Sequence, residues 1–444
     1  MNNFRKDFKG KKITIMGLGL LGRGLGYTKF LAECGADLIV TDLKSKEQLT
    51  TSVKSLSKYR NIKFVLGEHR LEDFRGRDII MKMAGVPMDS IYINEARKNG
   101  AQIEMDVSLF AKFAPEIIII GVTGTRGKSM TTALIYEILS QNLKDRKVYI
   151  GGNVRGVATL PLLKKVKVGD ILVCELDSWQ LQGFGEAKIS PHISVFTSFM
   201  PDHMNYYKNS MEDYFNDKAF IFKNQKVEDI LITNKEVKKR ITGKLKSKII
   251  LADKKDVSGF KFIVPGDHQR QNLAYAVKVA EQFEIPVSKI KKVVTNFKGV
   301  EGRLQFLINY KGIKIYNDNN ATTPEATIAG IKALRRDFNS RNIVLVCGGA
   351  DKKLALTNFT KIVNKNCKAV VMIPGTGTDV WLKNYKLKIS NEIGKDLKEI
   401  VQKSVKYAKK GDTILFSPAF ASFGMFNNEY ERNDLFVKLV KNLQ

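Results

Sequence analysis

The chain reads as an α/β protein of three domains, each built on a mostly parallel sheet. Three observations predict this. Short β-rich apolar runs alternate with longer helical patterns almost throughout. The alternation restarts in three blocks, and in each block the glycines and polar residues fall just after the apolar runs, where ligands sit in open α/β sheets. At 444 residues the chain is also longer than one hydrophobic core serves.

The first block opens KKITIMGLGLLGRGLGYTKFLAECGADLIVTD: a strand, a glycine turn, a helix and a second strand ending at Asp42. GLGLLG, Gly17 to Gly22, has dinucleotide-fold spacing, with an acidic residue about 20 positions on. Taken alone it fits an NAD-dependent enzyme or a domain that holds the nucleotide part of another substrate. The second block opens PEIIIIGVTGTRGKSMTTALIYEIL. Its loop, Gly121 to Thr132, lies between a strand and a helix. There glycines let backbone N–H groups approach phosphate, Lys128 reaches outer phosphates and Ser129 can ligate magnesium. Val122 stands where a strict Walker loop has its first glycine. This second, ATP-type loop weighs against an oxidoreductase.

Three polar groups follow. Glu175 in VCELDSWQL ends an apolar strand, where a buried carboxylate is costly unless it meets a cation or metal. Asp202 and His203 in FMPDHMNYY follow the strand ISVFTSF. Lys218 lies four residues beyond Tyr214, on the same helix face. Each has a plainer reading: a capped strand end, a core histidine, a surface lysine. The third block runs from near Gly302 through IKIYNDN, NIVLVCGG, AVVMIPG and TILFSPA. Asn317 and Asp318, Gly348 and Gly349 before Lys352, and Ser417 and Ser422 occupy its strand-end loops.

Composition excludes several classes. An apolar share of 43% and a charged share of 27% are globular values. MNNFRKDFKGKKITIMG passes from a basic lead into a strand without an apolar signal core, so a cytoplasmic protein with no stable membrane insertion is the expectation. Cys34, Cys174, Cys347 and Cys367 are widely spaced and mostly in apolar runs, which reads as reduced core thiols. The formal charge of +29 is spread along the chain without interleaved aromatics. No nucleic-acid partner is therefore expected, although phosphate-rich small substrates benefit from the same field.

In order, the motifs GLGLLG, TGTRGKS, GGN (Gly151 to Asn153), ELDSWQL, DHMNYY, Tyr214 with Lys218, GDHQRQN (Gly266 to Asn272), Arg303, YNDNNATTP, GGADK and SPAFAS resemble the Mur ligases of peptidoglycan synthesis. The match is greatest to those that add D-glutamate to UDP-N-acetylmuramoyl-L-alanine, and it covers nearly the whole chain. The resemblance implies an N-terminal Rossmann-like UDP-substrate domain (1–113), a central P-loop ATPase-like domain (114–298) and a C-terminal Rossmann-like domain that brings the amino acid (299–444). It implies an ADP-forming ligase that uses ATP and two Mg2+ sites, is expected to be monomeric, and acts on a UDP-linked muramoyl precursor and a free amino acid. Gly124, Thr125, Gly127, Lys128, Ser129 and Met130 would hold phosphates, Asn272 adenine, and Arg303 and Asp318 ATP from the third domain. Ser129 and Glu175 would serve one magnesium, and His203 with a carbamylated Lys218 the other; Lys128, Glu175, His203 and Lys218 are the implied catalytic set. Gly17, Leu20, Leu21, Asp42, Gly85 and Asn153 would face the precursor, and Thr322, Lys352 and Ser422 the amino acid.

The chain departs from the D-glutamate-adding pattern at Gly302, where histidine is usual, at Asn320, where lysine is usual, and at Glu429, where phenylalanine is usual. Leu21 replaces a common threonine. Losing a cation and gaining an acid suits a different amino acid or precursor. A Mur-type ligase with other substrates therefore stays open beside the first reading. A catalytically silent nucleotide-binding scaffold is the third option, opposed by the joint presence of Lys128, Glu175, His203 and Lys218.

Overall fold

The computed structural model describes residues 4–20, 22–337 and 340–443. Its strands form three sheets. The first contains β1 (Lys12–Met16), β2 (Asp37–Asp42), β3 (Ile62–Leu66), β4 (Ile79–Lys82) and β5 (Gln102–Glu104). They are parallel and ordered β3-β2-β1-β4-β5. The order reverses at β1, so the glycine turn after β1 lies at the crevice that such sheets use for ligands.

The second sheet contains β6 (Ile118–Thr123), β7 (Val148–Gly152), β8 (Ile171–Glu175), β9 (Ile193–Phe196), β10 (Ile230–Thr233) and β11 (Lys248–Leu251). It is also parallel, ordered β11-β10-β9-β6-β8-β7. Its switch point is β6, between β9 and β8. Every residue of β8 is buried, as expected of a parallel strand covered on both faces.

The third sheet contains β12 (Gln305–Tyr310), β13 (Ile313–Asn317), β14 (Ile343–Gly348), β15 (Cys367–Ile373), β16 (Ser390–Ile393) and β17 (Thr413–Phe416), in the order β12-β13-β17-β14-β15-β16. Alternate residues of its strands feed two cores. Val344, Val346, Val371 and Phe416 face one, and Leu345, Cys347, Val370 and Leu415 the other. The pairing β12–β13 is antiparallel, a feature the parallel pattern of the sequence did not include. Its cause is local: Lys311 and Gly312 have φ of 50° and 83°, and a two-residue turn with both φ positive joins only antiparallel strands.

By compactness the chain forms two units, Met1–Ser258 with Asn272–Val293, and Gly259–Gln271 with Val294–Gln444. The first holds two sheets and the second holds one. Within the second unit Phe262 of Gly259–Gln271 stacks on Phe297, with centroids 6.4 Å apart. All four cysteines are free and buried. Among the described residues no helix is long and apolar enough to cross a membrane.

Candidate active site

In the first unit the polar groups gather at the carboxyl ends of β6, β8 and β9. β6 ends at Thr123, and the loop 124–127 leads into helix Lys128–Asn142. Gly127 caps that helix with φ of 93°, a left-handed conformation that glycine adopts without strain. A Cβ there would lie 2.5 Å from Asn272 Oδ1. The loop is held from β9's end: Thr125 N–H donates to the Ser198 carbonyl at 2.8 Å, and Arg126 N–H to Ser198 Oγ at 2.9 Å. Thr197 Oγ1 donates to the Arg126 carbonyl at 2.6 Å. Three hydrogen bonds thus brace the loop against the end of β9.

Lys128 Nζ donates to the Gly124 carbonyl at 2.9 Å and to that of Thr125 at 3.3 Å. Lys218, on helix Met211–Lys223, donates to the same Gly124 carbonyl at 3.1 Å. Two amines thus converge on one oxygen. Lys218 is 1% exposed. Burial, and then the neighbouring Lys128, lower its pKa well below the ordinary value, which favours the neutral amine. Its Nζ lies 4.9 Å from the centre of the Tyr214 ring, as their four-residue spacing predicts.

His203 has φ of 55° and lies against Trp179, with ring centroids 4.6 Å apart. Burial lowers its pKa, against the pull of Asp202. Asp202 is itself raised by burial but brought below its usual value overall by Arg126 and His203; its Oδ2 is 2.7 Å from Arg126 Nη1. Glu175 is 5% exposed. Asn153 N–H donates to its carbonyl at 2.7 Å, and Asn153 Nδ2 to Oε1 at 3.5 Å. The helix Ser178–Ala187 begins immediately afterwards, capped by Asp177 with Gln180 in a reciprocal box.

Lys128, Glu175, His203, Lys218, Asn153 and Asn272 therefore all belong to this unit, with the loop glycines. Ser129 is partly exposed at the helix start, whereas the Met130 side chain is buried in the core. At the first sheet, Asp42 is hydrogen-bonded to the glycine turn. Its Oδ2 accepts Leu18 N–H and Gly19 N–H, both at 2.9 Å, and its Oδ1 accepts Lys44 N–H at 2.9 Å, so the carboxylate fastens the Gly17–Gly22 turn. Leu20 is 52% exposed, Gly85 is exposed in the turn after β4, and Leu21 lies outside the described residues.

In the second unit Asp318 follows β13. Its Oδ2 accepts Ser417 Oγ–H at 2.9 Å and its Oδ1 the Leu304 N–H at 3.1 Å. Burial pushes its pKa up to about 7. Arg303, next to Leu304, is partly buried and lowers the Asp318 pKa by its charge. Lys352 Nζ donates to Thr322 Oγ1 at 3.0 Å, and Ser422 is buried.

Sequence reasoning passed over Arg126, Thr197, Ser198 and Trp179, although the first lies inside the TGTRGKS loop. It also passed over Lys82, at the end of β4. Lys82 is 3% exposed, and burial lowers its pKa to about 8, opposed by Asp177 and Asp217. A lysine closing an apolar strand was the available signal.

Among the described residues no three His, Cys, Asp or Glu side chains converge as a ready-made metal site.

Residues 122–288 match the Mur ligase middle domain and 302–420 the Mur ligase glutamate ligase domain. A UDP-N-acetylmuramoylalanine--D-glutamate ligase of Borreliella burgdorferi is 34% identical, covering 98% of this chain and 99% of the relative. One from Clostridioides difficile is 32% identical, over 99% and 100%. Among solved structures, the UDP-N-acetylmuramate-alanine ligase MurC of Thermotoga maritima superposes with a TM-score of 0.62 at 17% identity, covering 98% and 100% of the two chains. The MurF ligase of the same organism, solved with ADP, gives 0.60 at 17% identity, over 99% and 97%. Full-length identity of this order over all three sheets places the chain in one family: it belongs to the Mur ligases.

Proposed function

We propose that this chain is an ATP-dependent, ADP-forming ligase that joins D-glutamate to UDP-N-acetylmuramoyl-L-alanine in peptidoglycan precursor synthesis, and hence serves cell-wall growth, cell shape and division. The observation that carries the reading is the pair Lys128 and Lys218 on the Gly124 carbonyl, at 2.9 and 3.1 Å, beside a glycine loop with no room for a Cβ at Gly127. Such a site suits a polyanion. The reading divides the chain into a UDP-substrate domain (1–113), an ATP domain (114–298) and an amino-acid domain (299–444), working as a monomer in the cytoplasm.

The reaction moves ATP's γ-phosphoryl onto the precursor's terminal carboxylate, making an acyl phosphate. The amine of the amino acid then attacks the acyl carbon, the C–N bond forms, and inorganic phosphate leaves. In this scheme Lys128 and the loop N–H groups neutralise phosphoryl charge as it moves. Asn272 meets adenine, and Arg303 and Asp318 contact ATP from the third domain. Gly17, Leu20, Leu21, Gly85 and Asn153 orient the precursor around the turn that Asp42 fastens; Thr322, Lys352 and Ser422 receive the amino acid.

The donor set fits two magnesium ions on one condition. Ser129 and Glu175 are oxygen donors for the first, and His203 serves the second with Lys218. As an amine beside Lys128, Lys218 brings no negative charge to a cation; as a carbamate it would. The neutral amine that burial favours adds to CO2 and loses a proton, giving the N-carboxylate. Magnesium, when bound, supplies charge neutralisation at the phosphoryl oxygens.

The test is phosphate release from ATP and magnesium with UDP-N-acetylmuramoyl-L-alanine across D- and L-amino acids. Release stimulated chiefly by D-glutamate is expected; none with any amino acid would sink the reading in favour of a silent scaffold. A second reading keeps the chemistry and changes the amino acid or precursor. It is favoured by neutral Asn320 packing on Gly302, 3.2 Å from where a Cβ would be.

A further inference from the structure

The third sheet carries a buried charge that this chemistry does not use. Arg432, in the helix Glu429–Lys441, is fully buried. Its Nε donates to Asn319 Oδ1 at 2.8 Å and its Nη2 to the Asn319 carbonyl at 3.1 Å. Both acceptors are neutral, and Nη1 has no hydrogen-bond partner among the described residues. Burial lowers its pKa to about 10 while the charge of Glu429 raises it, so the guanidinium stays protonated at neutral pH. In the interior such a charge is weakly screened and acts over several ångströms.

Asn319 transmits the position of this arginine. It is itself fully buried, and its Nδ2 donates to the Glu429 carbonyl at 2.9 Å and to Asn320 Oδ1 at 3.2 Å. Asn320 N–H donates to the Gly302 carbonyl at 3.0 Å, and its side chain occupies the space a Cβ on Gly302 would need. Gly302, Asn320 and Glu429, far apart in sequence, thus form one network around a single buried cation. The same turn carries Asp318 and Thr322, the latter hydrogen-bonded to Lys352.

We propose that Arg432 is a specificity-determining residue. It fixes the Asn319–Asn320 turn and places a positive charge behind it that favours an incoming amino acid with a second carboxylate, while half-buried Glu429 attenuates that charge. This rests on the ligase reading. The turn presents the neutral Asn320, and Arg432 adds positive charge from beneath it to that of Lys352 on Thr322. Arg432 acts through Asn319 and through its field, which makes it a positioning residue and not a catalytic one.

The test compares kcat/KM for D-glutamate and for D-glutamine, near-isosteres that differ by a charge, in the full chain with saturating ATP and precursor. The wild-type chain is expected to prefer D-glutamate. Arg432→Met should lower the ratio by about tenfold or more, through KM; Arg432→Lys should restore part of it; Glu429→Gln should raise it a few-fold. An arginine that merely supports the fold lowers both rates together and leaves the ratio unchanged, which overturns the proposal. If Arg432→Met does not fold, Glu429→Gln carries the test alone, and an unmoved ratio there overturns it equally. A wild-type chain that turns over neither amino acid overturns the ligase reading instead. Calorimetric binding of D-glutamate against D-glutamine to the full chain then decides the charge preference separately, and equal affinity overturns the proposal.

Discussion

Two regions of the molecule bury ionisable groups after parallel strands, and they solve the problem in opposite ways. Behind β6 and β9 buried Lys218 and half-buried Lys128 both rest on one neutral carbonyl. Behind β13 and β17 the buried group is a carboxyl, Asp318, which takes Ser417 Oγ–H and Leu304 N–H. In the first region the cost of burial appears as proton loss, with the neutral amine favoured at Lys218. The second is satisfied by neutral donors, so its cost appears as proton uptake, with the Asp318 pKa near 7. Burial thus drives the amine to give up its proton and the carboxyl to keep one.

The comparison can be broken most forcibly at Lys218. Lys218→Ala should lower kcat by about a thousandfold, and short carboxylates that enter the space of a carbamate should restore part of it. Phosphate release with and without added acid measures both, and wild-type turnover in the variant would refute the assigned role. For Asp318 the sign follows from its raised pKa. Between the ordinary carboxyl value of 3.8 and about 7 the folded chain binds more protons than the unfolded one, so stability falls as pH rises through this window and is regained on acidification. Asp318→Asn should flatten that slope, an effect on the order of 4 kcal/mol at neutral pH, read from urea midpoints of the transition that unfolds the third sheet. A slope equal to wild type would show that burial does not govern this carboxyl.

Smaller effects sharpen the contrast. Gly127→Ala combines a left-handed φ with a clash on Asn272 and should cost about 2 kcal/mol of stability together with ATP affinity; retained affinity by calorimetry would mean that the loop yields easily. Thr322→Val removes an exposed hydrogen bond from Lys352. It should change stability by less than about 1 kcal/mol while raising KM for the amino acid. A large drop in thermal midpoint would place Thr322 among the structural groups instead.

How much of the site could be read in advance depended on how far apart its partners lie. The glycine loop with Lys128, and Glu175 at a strand end, are local patterns. Tyr214 with Lys218 is a helical spacing. The contact of Lys218 with Gly124 spans 94 residues, and the Arg126–Asp202 pair 76, and no periodicity encodes such distances. Asp42 shows a subtler limit: its place at the end of β2 was legible, but that its oxygens fasten Leu18 and Gly19 was not. The hairpin β12–β13 lay within reach, since the Lys311–Gly312 turn is local.

By itself the sequence determined the three alternating α/β blocks, the phosphate-type loop and the residue types at the strand ends, because hydrophobic period and glycine placement act over a few residues. Only the tertiary structure decided which of those groups meet. It set Lys218 against Lys128, closed Asp318 with Ser417, and joined Gly302, Asn320 and Glu429 around Arg432, whose bond to Asn319 spans 113 residues. The physical reason is that burial and charge coupling depend on distance in space, and the order of strands in each sheet alone sets that distance.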